Sequence, residues 1–226
     1  MEIHRISLLE PTACEELVKK VEQMRSYYNS GVKGLFYTLG NALYQSNDNR
    51  SYYQNAKFYN ELLFGQFWQL YELLLKHIGN LLNTDVGYAQ DLSLPGFHIF
   101  EFQNMIEYSG GGRHFDLSHQ KLFGPSLSQI NYSFTLPIEI PTGGCGLDIW
   151  QLHHSELAGF QKVEDLNSIA DQRLSYSVPY RIGEMVIFQG DYLHQIGKVC
   201  PQVPKDKRIT LQGHCVFHKG YWRIYF

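Results

Sequence analysis

Three side chains that could bind a metal ion are spread along the second half of the sequence. His114 and Asp116 are two residues apart in the segment GGRHFD, and His194 follows the apolar segment 184–189 and a glycine-containing turn. Because side chains of a strand alternate between its faces, His114 and Asp116 would project from one side, about 7 Å apart. Two imidazoles and one carboxylate would bind a divalent metal ion and leave about half of its coordination positions open.

The surroundings of these residues form a longer pattern. The chain reads His-x-Asp, then Gly-x₄-Phe-x-Gly-x₂-Leu-His, and then Arg-x-Thr at Arg208 and Thr210. This order resembles the iron(II)/2-oxoglutarate-dependent dioxygenase superfamily, and the resemblance covers roughly residues 97–217. A competing His-x-carboxylate pair, His154 and Glu156, is a weaker candidate because it would leave Asp116 without a role.

The resemblance implies a fold, a set of cofactors and residue roles. The fold would be a double-stranded β-helix, a jelly-roll or cupin-like barrel. Iron(II) would be held by His114, Asp116 and His194, and 2-oxoglutarate and O2 would be cosubstrates. Arg208 and Thr210 would bind the far carboxylate of 2-oxoglutarate, for which a guanidinium fork and a hydroxyl are suitable partners. Tyr108 is a candidate hydroxyl for binding the cosubstrate or the substrate.

The implied reaction couples decarboxylation of 2-oxoglutarate to hydroxylation of an unactivated C–H bond. A halogenase is disfavoured, since halogenases of the superfamily have a small residue in place of the carboxylate supplied here by Asp116. Desaturation or cyclisation would use the same ligands and stays open. Two other classes are a cupin-like metal dioxygenase without an oxo acid, in which Arg208 would be idle, and a binding module that has lost the chemistry.

Alternation along the last long strand, 208–217, separates its two faces. Arg208, Thr210, Gln212 and His214 share one face, and apolar residues occupy most of the other. A surface strand would turn the polar face to water. The alternative, which we favour, is that the polar face lines the mouth of a barrel.

The remaining segments predict an α+β scaffold of one domain, 1–226. Residues 1–95 are expected to be a mainly helical support, with helices over 12–28 and 52–82, the second being one helix or two joined near Gly65. Residues 96–226 are expected to form the barrel, with strands near 97–108, 111–117, 128–139, 146–152, 183–189 and 208–217. The strand-poor segment 155–182 is predicted to be a lid over the metal site. Arg113 is expected to point away from His114 and into solvent.

Composition limits the partners. The net charge is −3, so no basic surface favours nucleic acid. No apolar run approaches the length of about 20 residues that spans a membrane, and the N-terminus does not resemble a signal peptide. Four scattered cysteines predict reduced thiols in a cytoplasmic protein. The expected substrate is a small molecule, amino acid or peptide; the oligomeric state is not predicted.

Overall fold

The computed structural model describes residues 1–31, 34–46, 48–107, 111–124, 130–157 and 163–226, with residues 163–165 as backbone. The helices are α1 (Pro11–Gln23), α2 (Asn49–Leu82), α3 (Phe102–Glu107), α4 (Ser118–Phe123) and α5 (Val163–Ala170). The strands are β1 (Ile3–Ser7), β2 (Asn29–Ser30), β3 (Tyr37–Leu39), β4 (Val86–Tyr88), β5 (Gly96–Glu101), β6 (Asn131–Glu139), β7 (Gly146–His153), β8 (Ser175–Pro179), β9 (Glu184–Gln189), β10 (Tyr192–Ile196), β11 (Lys207–His218) and β12 (Tyr221–Tyr225).

Pairing joins the described strands into two sheets. The larger has nine strands in the order β1-β9-β6-β11-β5-β3-β2, with β12 beside β11 and β4 beside β12. The smaller has three, in the order β10-β7-β8. Among the described strands, all pairs are antiparallel except β12 with β4. The mostly antiparallel architecture with helices confirms the predicted α+β class.

Helix α2 covers one face of the large sheet. The Asp48 side chain caps its first turn by accepting a hydrogen bond from the Ser51 backbone N–H, at 2.7 Å. The helical backbone is interrupted at Phe67 (φ −128°, ψ 23°), close to the junction predicted near Gly65. Leu74 of α2 and Leu211 of β11 are fully buried in the same apolar cluster. The apolar side of β11 therefore faces the helices, which leaves its polar side for the space between the two sheets.

The first 95 residues supply strands as well as helices. Strand β1 pairs with β9, β3 pairs with β5, and β4 pairs with β12. The early part of the chain thus extends the large sheet as well as covering it. The division at residue 95 stays a prediction.

Several predicted strands differ from those observed. The strand expected over 97–108 ends at Glu101, where the Asn104 side chain accepts a hydrogen bond from the Glu101 backbone N–H (3.2 Å) and α3 begins. Residues 111–117 form no strand; only His114 makes a β-bridge, to His194. Strand β8 lies within the segment 155–182 and pairs with β7.

The described helices also bear on membrane insertion. None of those in the described ranges has both the length and the apolar character of a membrane-spanning helix.

Candidate functional site

The side chains of His114, Asp116 and His194 converge in the space between the two sheets. Nε2 of His194 lies 3.2 Å from Oδ2 of Asp116, and Nε2 of His114 lies 3.7 Å from Oδ1. One ligand atom from each residue lies within 4.8 Å of the other two. The nitrogen and oxygen donors are the set that a non-haem iron(II) site uses, so the residues present fit such an ion.

Backbone hydrogen bonds bring the three residues together from distant parts of the chain. The backbone N–H of each histidine donates to the carbonyl of the other, at 2.9 and 3.0 Å, and the Asp116 N–H donates to the Gly190 carbonyl at 2.7 Å. A Cβ at Gly190 would lie 2.5 Å from Oγ of Ser133, so this close approach requires glycine. Strand β10 and the turn that connects it to β9 therefore position the segment 114–116 without a regular strand there.

Both histidines are oriented by backbone carbonyls. Nδ1 of His114 lies 2.7 Å from the Gly112 carbonyl oxygen, and Nδ1 of His194 lies 2.8 Å from that of Tyr192. A carbonyl only accepts, so each Nδ1 carries the proton. Each Nε2 then presents a lone pair towards Asp116 whenever the ring is neutral, as a metal ligand must.

The Asp116 carboxylate is ionised in this environment. Burial alone would raise the pKa of Asp116, but the imidazoles of His194, His214 and His114 together hold it well below its ordinary value. Burial lowers the pKa of His194, yet the adjacent Asp116 carboxylate outweighs burial and raises it. Without a metal, the Asp116 carboxylate thus favours the protonated, positively charged form of His194. A divalent cation would replace that proton and supply the positive charge beside Asp116.

Arg208 is fully buried and its cation has no acidic partner among the described residues. Nε, Nη1 and Nη2 make no hydrogen bond in the described part of the chain. The guanidinium carbon lies 5.1 Å from the ring centre of Phe100 and 5.8 Å from that of Tyr180. Aromatic rings offset only part of the cost of burying a cation. The unpaired nitrogens therefore fit the carboxylate of a bound anion.

The polar face of β11 lies inside the fold. Thr210, fully buried, accepts a hydrogen bond from the Gln212 side chain at 3.2 Å. In the sheet register, Thr210 is opposite His98, and His214 is opposite Ser133. The surface-strand alternative is therefore wrong, because the polar residues of β11 line the space that also contains the histidine–aspartate group.

His194 lies within β10 of the small sheet, after the turn that follows β9 of the large sheet. Arg113 does point away from His114, but it is not mainly in solvent. It forms an ion pair with Asp171 at 2.7 Å and lies over the Trp150 ring at 4.7 Å. Tyr108 lies outside the described residues.

Helix α5 packs on the outer side of the small sheet. Ala170 shares an apolar cluster with Trp150, Leu152 and Leu193. Leu193 belongs to this cluster, whereas the His194 ring lies against Phe188, which belongs to a different apolar cluster, so the two side chains face opposite sides of the small sheet. The lid predicted over the metal site is therefore wrong for α5 and for β8; residues 158–162 lie outside the described residues. In the competing pair His154 and Glu156, both carboxylate oxygens of Glu156 already accept hydrogen bonds, from the His153 backbone N–H (2.9 Å) and from Arg173 (2.9 Å).

Sequence reasoning missed the residues that surround the site from β5 and β6. The Ser133 hydroxyl donates to Oδ2 of Asp116 at 2.6 Å, and the Tyr44 hydroxyl lies 2.6 Å from Nε2 of the buried His98. The signal was the period of two: His98 and Ser133 share the inner face with Thr210 once β5 and β6 are placed beside β11. Strand order was not available from the sequence.

Burial of His98 predicts a pH effect on stability. Burial, followed by the nearby Arg208 cation, lowers the pKa of His98 from 6.5 to about 3. The unfolded chain takes up this proton below pH 6.5 and the folded chain does not, so the contribution is complete above pH 6.5 and is lost as pH falls towards 3. The slope of unfolding free energy against pH from this residue is at most about 1.4 kcal/mol per pH unit.

His98→Gln should flatten the decline in unfolding free energy between about pH 6 and pH 4, measured by urea denaturation. An unchanged slope would show that His98 protonates freely in the fold.

Comparison with known proteins gives similarity in structure alone. No protein-family model matches the sequence, and no curated protein matches it. An N-substituted L-amino acid dioxygenase from Burkholderia ambifaria AMMD has a TM-score of 0.62 at 13% identity, over 100% of this chain and 86% of that chain. Its complex with α-ketoglutarate gives 0.59 at 11% identity, with the same coverage.

A second similar structure comes from nogalamycin biosynthesis. The epimerase SnoN, in complex with Fe3+, α-ketoglutarate and nogalamycin RO, has a TM-score of 0.52 at 8% identity, over 93% of this chain and 77% of that chain. SnoK, a non-haem α-ketoglutarate-dependent carbocyclase, also has 0.52, at 12% identity, over 95% and 78%. At such low identity, what the comparison shows is a shared fold.

Proposed function

We propose, from the premise that this chain has the fold of the iron- and 2-oxoglutarate-dependent dioxygenases, that it is itself an iron(II) oxygenase that consumes 2-oxoglutarate and O2. The resemblance predicted from the sequence is confirmed at the level of the fold. The fold brings His114, Asp116 and His194 together as a group that could hold a metal ion. We further propose that the barrel is a double-stranded β-helix and that residues 1–226 form one domain.

The buried guanidinium of Arg208 is the observation that carries this proposal. A cupin-like dioxygenase without an oxo acid would have no use for an unpaired cation on the face that also lines the metal site. A dicarboxylate cosubstrate would place one carboxylate on Arg208 and Thr210, where charge-assisted hydrogen bonds are strong. Phe100 and Tyr180 would shield that contact from water.

His114, Asp116 and His194 would hold the iron ion. The bound iron and 2-oxoglutarate would supply the oxidising power of the reaction. The chain itself contributes positioning: the carbonyls of Gly112 and Tyr192 fix the two imidazoles, and Arg208 sets the direction of the cosubstrate. Asp116 supplies the negative charge that balances the metal.

Hydroxylation of an unactivated C–H bond is the proposed outcome. Because an epimerase and a carbocyclase share this fold, cyclisation, desaturation or epimerisation at the same site is the second candidate. The metal ligands and open positions are the same for each, so the substrate decides among them.

A small molecule, amino acid or peptide is the proposed substrate. The similar structures include an N-substituted L-amino acid dioxygenase and a carbocyclase of nogalamycin biosynthesis, and the net charge of −3 gives no basic surface for nucleic acid.

A cytoplasmic location is also proposed. All four cysteines are free thiols, and three of them are buried. Free thiols are the rule in a reducing compartment.

Anaerobic titration tests the cofactor assignment. Addition of iron(II) and then 2-oxoglutarate to the metal-free protein should produce the weak visible charge-transfer band of chelated 2-oxoglutarate, and His194→Ala should lose it. Succinate release would then identify substrates. Iron binding without the band would favour the dioxygenase class that uses no oxo acid, and the absence of iron binding would favour a binding module.

A further inference from the structure

Two further side chains are linked to the Asp116 carboxylate, the buried Ser133 directly and the partly buried His214 through Ser133. The Ser133 hydroxyl donates to its Oδ2 at 2.6 Å, and Nδ1 of His214 lies 3.1 Å from the same hydroxyl oxygen. Ser133 is 3% exposed, so water does not compete at this hydroxyl. Because its single proton is given to Asp116, Nδ1 of His214 must be the donor to Ser133. The three groups form a directed chain, His214 to Ser133 to Asp116.

The distal end of this chain is fixed by packing. The His214 ring lies against the Tyr225 ring, with centroids 5.3 Å apart, and the Tyr225 hydroxyl lies 3.2 Å from that of Ser118. Ser133 and Tyr225 are the register partners of His214 on the two neighbouring strands. Rigid strands on both sides therefore set the place of the imidazole.

We infer that Ser133 and His214 are positioning residues for the metal ligand Asp116. The Ser133 hydrogen bond occupies a lone pair of Oδ2 and stops rotation of the carboxylate, so that a metal ion meets the carboxylate in one orientation and through one oxygen. A freely turning carboxylate would be able to bind through both oxygens and take up a position that the cosubstrates need. This inference rests on the metal site of the proposed function, although it does not require 2-oxoglutarate.

Hydrogen bonds from outside the ligand set are a general means of tuning metal sites. Loss of such a partner typically lowers metal affinity or activity by about 10- to 100-fold. His214 is also only 3.8 Å from Oδ2, which raises the alternative that it is a fourth ligand. Nδ1 of His214 is hydrogen-bonded to Ser133. The residues whose donor atoms all lie close to one another are His114, Asp116 and His194, without His214. These two observations favour a positioning role.

The test is direct measurement of metal affinity in the intact chain. Anaerobic calorimetry with iron(II), and with cobalt(II) as a redox-stable probe, should show binding about 10- to 100-fold weaker for Ser133→Ala. His214→Phe keeps the ring against Tyr225 but removes the donor, and it should weaken binding in the same direction and by less. Ser133→Thr keeps a hydroxyl and should restore most of the affinity.

Thr135→Val is the matched control. Thr135 lies on the same strand and the same face as Ser133, and it is also buried from solvent. Its hydroxyl has no hydrogen bond to Asp116 among the described contacts, so metal affinity should stay close to that of wild type. Thermal unfolding of each metal-free variant shows whether it is folded.

The outcomes separate the inference from the proposed function. Unchanged metal affinity in folded Ser133→Ala would overturn the inference, as would a loss in His214→Phe as complete as in His194→Ala, which would make His214 a ligand. If wild type binds the metal but shows no 2-oxoglutarate band, the proposed function fails while the positioning role is still measured. A wild-type chain that binds neither metal overturns both.

Discussion

Replacement of Asp116 by alanine is expected to abolish substrate-linked turnover and to weaken iron(II) binding by about 100-fold or more. Loss of a hydrogen-bond partner of a metal ligand lowers affinity by about 10- to 100-fold, and loss of the ligand itself should cost more. The carboxylate is the ligand set's only negative charge, and His114 and His194 would be left to hold a divalent cation alone. Its removal also leaves the Ser133 hydroxyl without its acceptor.

Asp116→Asn separates charge from shape in this experiment. The amide fills the same space and still accepts from Ser133, yet it lacks the negative charge, so metal affinity should stay close to that of Asp116→Ala. Succinate formation and anaerobic iron titration are the measurements. Wild-type turnover in either variant would remove Asp116 from the metal site and would give the pair His154 and Glu156 new weight.

Replacement of Arg208 by methionine is expected to weaken 2-oxoglutarate binding without destabilising the ligand-free protein. Affinity for 2-oxoglutarate should fall by about 30- to 3,000-fold, since loss of one member of a buried charge pair costs roughly 2–5 kcal/mol. Iron affinity should not change. The free energy of unfolding of the ligand-free protein should stay constant or rise by about 1–4 kcal/mol, because apolar residues often replace buried charges with a gain in stability.

The reason for the gain is that the ligand-free fold buries a cation with no acidic partner in the described chain. A site that lowers stability in order to bind a ligand commonly shows this opposition between stability and activity. Arg173→Met is the control: Arg173 is exposed and binds Glu156, so both quantities should remain near wild type. The measurements are urea unfolding without ligand and the charge-transfer titration with 2-oxoglutarate. A marked loss of ligand-free stability in Arg208→Met would mean that Phe100 and Tyr180 already satisfy the cation, against the proposed oxo-acid site.

The types of the candidate site residues and their order along the chain can be read from the sequence alone. His114, Asp116, His194 and Arg208 stood out by their types and their spacing along the chain, which are local properties. For the same reason, β11 was predicted with both faces assigned, and α2 was predicted close to its observed bounds. Strong local periodicity survives in the fold because burial of an apolar face requires it.

Which distant residues meet depends on the folded chain. His114 is held by a single bridge to His194 in place of a strand, and α5 lies on the outer side of the small sheet. Ser133 and His214 are 81 residues apart, and nothing local marks them as partners. Contacts of this kind depend on strand order and register, which follow from the packing of the whole sheet and not from the residues on either side.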